Sequence, residues 1–381
     1  MKVAVLGYGT VGKGVYDILR TSPLFEAGPV LVRPGKTDEP FKTDSMEAIC
    51  ADGSIDAVAE TMGGIDAAYS YASMALKAGK HFVTSNKALV AARGIELAAL
   101  AREHGAGFLF SAACGGAVPF LHNLELACEC DEIYSLGGIL NGTTNYMLDM
   151  MQSEGLDYDA ALKDAQALGY AEADPTADVT GLDALRKIML GCAVAYDLLP
   201  DEGLLNEGID SLRASDVEDI KARGLCCRLI VKGGRNSSGS IYAYVQPVLL
   251  GADAPECAVK KNFNMAKYIG KNSGQIVFMG QGAGRYPTAS AVVRDLECLA
   301  AGQREMLKEP CRRAPADNAA CECAYYVRLP AAFAAELDAE SVSYEGSTAR
   351  VITKPMSVKA MHELAKRLRK GGAELFFAEL G

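Results

Sequence analysis

The stretch KVAVLGYGTVGKGV at residues 2–15 decides the fold of the first part of the chain. A short apolar run passes directly into a G-x-G-x-x-G pattern. Such glycines permit a tight turn, close approach of the backbone to a pyrophosphate and close packing of helix on strand, while the helix N-terminus favours negative charge. We therefore predict a Rossmann-type dinucleotide-binding unit. The alternative is a tight turn without a ligand. The predicted cofactor contacts in this loop are Gly7, Gly9, Thr10, Val11 and Gly12.

The next hundred residues extend this prediction, because short apolar runs alternate with amphipathic segments. Such alternation is typical of βαβ units around a parallel sheet, which binds ligands at the carboxyl ends of its strands. The clearest helical patterns cover residues 66–78 and 87–103. The predicted strands are residues 2–6, 29–32, 55–60, 81–85 and 107–111.

The pattern changes after about residue 119, and at 381 residues the chain is long enough for two or three domains. We predict an α/β dinucleotide-binding domain at 1–125, completed by 281–305, a mixed α+β domain at 126–308, and a small α+β module at 319–381. The predicted elements beyond residue 119 are strands at 132–138, 240–248, 323–330, 341–352 and 374–380, and helices at 331–338 and 358–370.

Composition excludes several classes of function. The 38 basic and 48 acidic residues give a net charge of -10, which argues against nucleic-acid or anionic-membrane partners. A signal peptide and a long apolar span are both lacking, so we expect a cytoplasmic enzyme of small molecules. Twelve scattered cysteines without a CxxC pair predict reduced thiols. Four histidines without ligand spacing argue against catalytic zinc or a Ser-His-Asp triad.

The residues after the second predicted strand bear on the type of nicotinamide cofactor. An acidic residue there would favour NAD by binding the ribose hydroxyls, but this chain has Arg33 and Lys36. A basic pair suits a 2′-phosphate and favours NADP. Ordinary surface residues are the alternative, so the sequence leaves NADP and NAD both open.

A lysine stands at a strand edge in the sequence Ser85-Asn86-Lys87, between a predicted strand and a helix. Lysine is unfavourable beside the positive end of a helix dipole, which favours a functional role in holding substrate or nicotinamide. An ordinary first-turn lysine is the alternative. The contacts predicted here are from Ser85 and Lys87.

Two further turns could bind ligands. Residues 141–146, NGTTNY, end a strand and start a helix, so Gly142, Thr143 and Thr144 could hold a small polar substrate or merely cap the helix. Residues 280–288 lead into another helix, and Gly282 and Gly284 form either a flexible turn or a second backbone approach to the cofactor.

The densest group of charged residues runs from Glu172 to Lys187, with Asp183 and Lys187 one helical turn apart. Much of the helix around them is apolar, so we predict that both are at least partly buried. Burial lowers the pKa of a lysine and nearby carboxylates raise it, which would tune Lys187 for proton transfer. The carboxylates would also bind a substrate ammonium group. A capped helix with a surface ion pair is the alternative.

Together these motifs resemble homoserine dehydrogenase from residue 1 to about 300, in the family's order. The matching segments are GYGTVGKGV at 7–15, ETMGG at 60–64, SNKALVA at 85–91, NGTTNYML at 141–148, residues 172–187 and GAGRYPTASAVV at 282–293. The resemblance implies interconversion of L-homoserine and L-aspartate 4-semialdehyde with NAD(P)H, in threonine and methionine biosynthesis, by a homodimer or homotetramer. The middle part would then be a catalytic and dimerisation domain.

The same resemblance assigns roles to single residues. Lys187 matches the family's catalytic lysine and Lys87 its second active-site lysine. The carboxylates Glu172, Asp178 and Asp183 match positions that bind homoserine or orient the lysine.

The family resemblance also implies a sodium site and a regulatory module. The carbonyls of Cys114, Gly116 and Val118 match the cation ligands, although Ser111 stands where the pattern has a glutamate ligand. The tail from residue 319 resembles an ACT module that senses threonine. Two other functions stay open, namely a dehydrogenase of a related amino-acid semialdehyde and a non-catalytic sensor of nucleotide and amino acid.

Overall fold

Six parallel strands form the first sheet of the computed structural model, which describes residues 1–201 and 203–381. Their order is β3-β2-β1-β4-β5-β6, so the chain reverses its direction of travel across the sheet beside β1. This arrangement confirms the predicted Rossmann-type fold. The elements are β1 (Lys2–Leu6), α1 (Thr10–Thr21), β2 (Glu26–Leu31), β3 (Lys42–Thr43), α2 (Met46–Ala51), β4 (Ala57–Glu60), α3 (Asp66–Lys77), β5 (His81–Thr84), α4 (Lys87–Glu103), β6 (Phe108–Leu109) and α5 (Phe120–Ala127).

The largest differences from the predicted strand boundaries in this sheet are in β2 and β6. β2 begins at Glu26 because Lys2 pairs with it in the parallel ladder, which extends the strand beyond its apolar run. β6 ends at Leu109, and residues Ser111–Ala113 form a 3-10 turn instead of continuing the strand.

The second sheet is mixed and has the order β13-β12-β7-β10-β11-β20-β16-β18-β17, with β9 beside β11. The predicted mixed α+β architecture is confirmed. Its middle elements are β7 (Ile133–Ile139), α6 (Gly142–Ser153), α7 (Tyr158–Ala167), α8 (Thr176–Val179), α9 (Leu182–Tyr196), β8 (Leu198–Pro200), β9 (Leu205–Asn206), α10 (Ala214–Ala222), β10 (Leu225–Arg235), β11 (Ile241–Gly251), β12 (Phe263–Gly270) and β13 (Gly274–Gln281), followed by α11 (Arg285–Ala300).

The tail adds its strands to this sheet through β20, which pairs with β11. The predicted single strand at 341–352 is wrong, because the chain turns back at Gly346, where φ is +58°, and forms a hairpin. The tail contains β14 (Arg312–Ala314), β15 (Glu322–Cys323), β16 (Tyr325–Pro330), a 3-10 helix at Ala331–Glu336, β17 (Ala339–Glu345), β18 (Thr348–Thr353), β19 (Met356–Ser357), α12 (Val358–Lys370) and β20 (Phe376–Leu380).

The fold divides into two compact units. The first comprises Met1–Asp131, Met189–Leu199 and Gly280–Arg312, and the second comprises Glu132–Ile188, Pro200–Met279 and Arg313–Gly381.

A chain of buried polar groups joins the tail to the middle strands inside the second unit. His362 on α12 lies 3.0 Å from Oε1 of Gln246, and the amide of Gln246 donates to Glu379 at 2.8 Å. Lys232 on β10 pairs with the same glutamate. Burial lowers the pKa of His362 to about 4, so its ring is neutral at pH 7.

One pair of cysteines departs from the expectation of reduced thiols. Cys226 on β10 and Cys257 form a disulfide, because the 3-10 turn Pro255–Ala258 folds back beside the start of that strand and brings the Cα atoms to 6.4 Å. Their separation of 31 residues carries no CxxC signal. Among the residues that the structure describes, no helix has the length and apolar character needed to cross a membrane.

Candidate functional site

The glycine loop of the first unit makes the close backbone contacts that its sequence pattern predicts. Gly7 has φ +94°, a conformation that side chains other than glycine rarely adopt, and its N–H donates to the Leu31 carbonyl at 3.0 Å. A Cβ on Gly12 would lie 2.0 Å from the Gly7 oxygen. By contrast, nothing lies within 4 Å of the corresponding point on Gly9, the N-cap of α1. Close packing inside the protein therefore explains why positions 7 and 12 are glycine, but it does not explain the glycine at position 9.

A cavity of about 950 Å³ lies beside this loop, lined by residues of the loop, by residues 31–44 and by residues 61–71. This volume is in the range of cofactor sites. On its wall Lys42 is paired with Asp38 at 2.8 Å and Glu39 at 2.9 Å. The structure places Arg33 and Lys36 on the same wall, and in its described ranges neither side chain has an ion pair. A dinucleotide would fit this cavity, and the side chains of Arg33 and Lys36 would be available to bind phosphate.

A buried carboxylate organises the loops after β4 and β5, and the sequence analysis did not single it out. Glu60 is fully buried, accepts a hydrogen bond from the Met62 N–H at 2.6 Å, and is bound by the Thr84 hydroxyl at 2.5 Å. Burial raises the pKa of Glu60, and these hydrogen bonds oppose the rise. The sequence feature that could have identified Glu60 is an acidic residue at the end of an otherwise apolar strand.

The predicted residues Ser85 and Lys87 lie at the next loop. Ser85 N–H donates to the Glu60 carbonyl at 3.3 Å, and Lys87 is the first residue of α4. Asn86 caps that helix by accepting from the Leu89 N–H at 3.1 Å, and its amide donates to the Gly64 carbonyl at 2.6 Å. The cap fixes the start of α4 against the loop that follows β4.

The two glycines near residue 283 also make backbone contacts in this unit. A Cβ on Gly116 would lie 2.6 Å from the Gly282 carbonyl group, and the Ala117 N–H donates to Gln281 at 3.1 Å. Gly284 has φ +122° and is the N-cap of α11. In the structure this turn therefore packs against residues 115–118.

At the implied sodium site, one carbonyl and the nearby carboxylate already take part in hydrogen bonds. Val118 already accepts a hydrogen bond from the Phe120 N–H at 2.8 Å. In the described ranges, the carboxylate that reaches this segment is Asp295, which is bound to the Ser111 hydroxyl and to the Ala112 N–H at 3.3 Å. Burial raises the pKa of Asp295 to about 7, so half of the carboxyl groups would be neutral near that pH.

The charged group of the second unit centres on Lys187. Its Nζ lies 2.8 Å from Oδ2 of Asp183 and donates to the Leu140 carbonyl at 2.6 Å. Asp183 and Lys187 are each 8% exposed, which confirms the predicted burial. The lysine is therefore held at a fixed point by a carboxylate and the end of β7, as a proton donor or acceptor requires.

Asn141 connects this pair to a second carboxylate and was not singled out by the sequence analysis. Its amide donates to Asp178 at 2.6 Å and to Asp183 at 3.0 Å, while its oxygen accepts from the Thr144 N–H at 2.8 Å. Like charges repel when they lie close together, and one amide that donates to both reduces that cost. In the sequence, Asn141 stands at the N-cap position of a predicted helix, and helix capping alone was enough to explain an asparagine there.

The other predicted substrate residues differ in their surroundings: two form hydrogen bonds, one packs against a neighbouring backbone and one is exposed. The Thr143 hydroxyl donates to the Tyr170 carbonyl at 2.6 Å, and the Thr144 hydroxyl donates to Asn141 at 3.0 Å. Gly142 packs closely on Asn262, whose oxygen would lie 2.6 Å from a Cβ. Glu172 is exposed.

Within the described part of the chain, no group of three or more His, Cys, Asp or Glu side chains could hold a metal ion.

Comparison with known proteins assigns both units to one kind of enzyme. The family model for the homoserine dehydrogenase NAD-binding domain matches residues 7–111, and the model for homoserine dehydrogenase matches residues 119–296. The homoserine dehydrogenase of Synechocystis is 40% identical over 313 residues, covering 78% of this chain and 72% of that protein. The Bacillus subtilis enzyme is 37% identical, covering 80% and 74%. The crystal structure of a homoserine dehydrogenase from Thiobacillus denitrificans has a TM-score of 0.86 at 28% identity, covering 100% of this chain and 98% of that one.

Proposed function

The chain belongs to the homoserine dehydrogenase family and is an oxidoreductase with an NAD(P)-binding domain, and from this premise we propose how its residues carry the reaction. The reaction interconverts L-homoserine and L-aspartate 4-semialdehyde. The observation that supports the site assignment is the buried group formed by Lys187, Asp183, Asn141 and Asp178. The bound nicotinamide supplies or accepts the hydride.

Lys187 is the proposed catalytic residue. In the reductive direction the substrate oxygen gains a proton as its carbon gains the hydride, and the Nζ of Lys187 donates that proton directly or through a water. Asp183 and the Leu140 carbonyl fix the position of Nζ. Lys87 is proposed as the second active-site lysine, on the strength of its match to the family pattern.

The carboxylates Glu172 and Asp178 are proposed to bind the substrate ammonium group, since carboxylates pair with cations through charge-assisted hydrogen bonds. Asn141 keeps Asp178 in place beside Asp183. Gly142, Thr143 and Thr144 are proposed to shape this part of the site.

The cofactor is proposed to be NADP, with Gly7, Gly9, Thr10, Val11 and Gly12 under the pyrophosphate and Ser85, Gly282 and Gly284 as further backbone contacts. Arg33 and Lys36 on the cavity wall support the choice over NAD, because a 2′-phosphate pairs with cations.

Replacing Arg33 by alanine tests this preference. We expect the KM for NADPH to rise by about tenfold, the value of one charge-assisted contact, while the KM for NADH changes little. The matched control is Lys77→Ala, at the C-terminal end of α3. An equal rise for both cofactors would contradict the proposal.

The reaction itself is checked by spectrophotometric assay of homoserine oxidation with each cofactor. Reduction of either cofactor is the expected result, and a panel of related amino-acid semialdehydes separates homoserine from its analogues. A chain that turns over neither cofactor would be the non-catalytic sensor instead.

Threonine is proposed as an effector, because the tail resembles an ACT module. We expect millimolar threonine to lower the rate of homoserine oxidation. Unchanged kinetics would remove this role from the tail.

The oligomer, the location and the domain division also stay predictions. We propose a homodimer or homotetramer, supported by the exposed apolar side chains Ile269, Val277 and Met279 on β12 and β13. The cytoplasmic location and the functional division at residues 125, 308 and 319 are proposals, whereas by compactness residues 313–381 group with residues 132–188 and 200–279. Sodium bound by the carbonyls of Cys114, Gly116 and Val118 also stays a proposal, and no step of the mechanism runs through it.

A further inference from the structure

An ion pair on a buried carboxylate links the last turn of α12 to the segment after β9, and the Arg369 side chain in this pair is 39% exposed. Glu207 is 5% exposed, and both of its carboxylate oxygens are bound by Arg369. The Nη1–Oε2 distance is 2.9 Å. Burial raises the pKa of Glu207, and the guanidinium opposes the rise. Arg369 thus stabilises a carboxylate that would otherwise be costly inside the protein.

The segment around Glu207 packs directly on the chain that precedes α9. The Asn206 amide donates to the Thr180 carbonyl at 2.9 Å, and the Ile209 N–H donates to Val179 at 2.8 Å. Gly208 is so close that a Cβ on it would lie 1.9 Å from the Val179 oxygen. Residues 206–209 therefore hold residues 179–180 through one side-chain hydrogen bond, one main-chain hydrogen bond and the close backbone approach of Gly208.

Those held residues connect the two carboxylates of the site. Asp178 lies immediately before them, and Asp183 follows in the first turn of α9, with Gly181 between at φ +81°. A shift of the backbone at 179–181 would move Asp178 relative to Asp183 and Lys187.

We propose that Arg369 is a positioning residue for homoserine binding, acting through Glu207 on the segment that carries Asp178 and Asp183. Its hydrogen bonds go to Glu207 and to the Leu375 carbonyl, so in this proposal it acts without contacting substrate or cofactor. The tail helix thereby contributes to the substrate site, and this inference rests on the roles proposed above for Asp178, Asp183 and Lys187.

Removing Arg369 would leave the buried carboxylate of Glu207 without its cation. A buried carboxylate that loses its cation must either take up a proton or move toward water. Asp210 is a further negative charge near it, and disfavours the charged form further. Movement of Glu207 would carry residues 206–209 away from their contacts with 179–180.

The same helix provides a matched control. Arg367, two residues earlier, pairs with Glu336 at 3.1 Å, but their side chains are 66% and 50% exposed. Exposed pairs contribute little, so Arg367→Ala removes the same side chain type from α12 without uncovering a buried charge.

The experiment compares Arg369→Ala, Glu207→Gln, the double variant and Arg367→Ala. We expect Arg369→Ala to raise the KM for homoserine by about tenfold, as misplacement of a binding group does, with little change in the KM for NADP+. The double variant should be no worse than Arg369→Ala, since removing the carboxylate as well leaves no buried charge. Arg367→Ala should behave as wild type.

Hydrogen exchange at residues 176–186 gives a readout that does not depend on activity. Faster exchange there in Arg369→Ala than in Arg367→Ala supports the proposal. Unchanged exchange with an unchanged homoserine KM would overturn it, even if the melting temperature falls. Should Arg369→Ala fail to fold, Glu207→Gln and Arg369→Lys answer the same question. A wild type that does not oxidise homoserine would instead refute the proposed function.

Discussion

Replacing Lys187 by alanine is expected to lower kcat for homoserine oxidation by about a thousandfold, the usual contribution of a general acid–base residue. In the direction of oxidation the side chain is proposed to accept the proton of the substrate hydroxyl, and it is held by Asp183 at 2.8 Å and the Leu140 carbonyl at 2.6 Å. The KM for NADP+ should stay close to wild type, because the proposed cofactor contacts are made by other residues. Steady-state kinetics with both substrates measures the two parameters separately.

The control for this variant is Lys163→Ala, which removes an exposed lysine from α7 in the same unit. It should leave kcat unchanged. Alanine at 187 also leaves Asp183 without its cation, so a melting curve and Lys187→Met, which keeps the apolar volume, are needed beside it. Full activity in either variant, with the fold intact, would show that another group carries the proton.

Local patterns were sufficient for the parts of this protein whose neighbours in space are also neighbours in sequence. The glycine loop follows directly on β1, and its close contacts to Gly7 arise within six residues. The pair Asp183 and Lys187 lies one turn apart on α9, so helical spacing alone placed them together.

Long-range contacts could not be predicted in the same way. Asn141 reaches Asp183 across 42 residues, and Arg369 reaches Glu207 across 162. No spacing rule links such pairs, because their meeting depends on the pairing of strands in the second sheet. The Cys226–Cys257 disulfide escaped prediction for the same reason.

Substituting alanine for Gly12 is expected to abolish measurable NADPH binding. The new Cβ would lie 2.0 Å from the Gly7 oxygen and 2.7 Å from the Thr61 hydroxyl, so α1 would have to move away from the loop. Overpacking of this kind costs about 1–3 kcal/mol, and the melting temperature should fall as well. Isothermal titration with NADPH, alongside a melting curve, checks both effects.

Gly9→Ala separates the cofactor from the fold, since nothing in the protein lies within 4 Å of its new Cβ and its φ of −78° suits alanine. If a pyrophosphate approaches the loop, this methyl group meets the ligand and not the protein. We therefore expect weaker NADPH binding at an unchanged melting temperature. Gly53→Ala, which also meets nothing within 4 Å but lies after α2 away from the cavity, should change neither. Normal binding in Gly9→Ala would mean that this loop is a tight turn without a dinucleotide, and the cofactor would have to lie elsewhere.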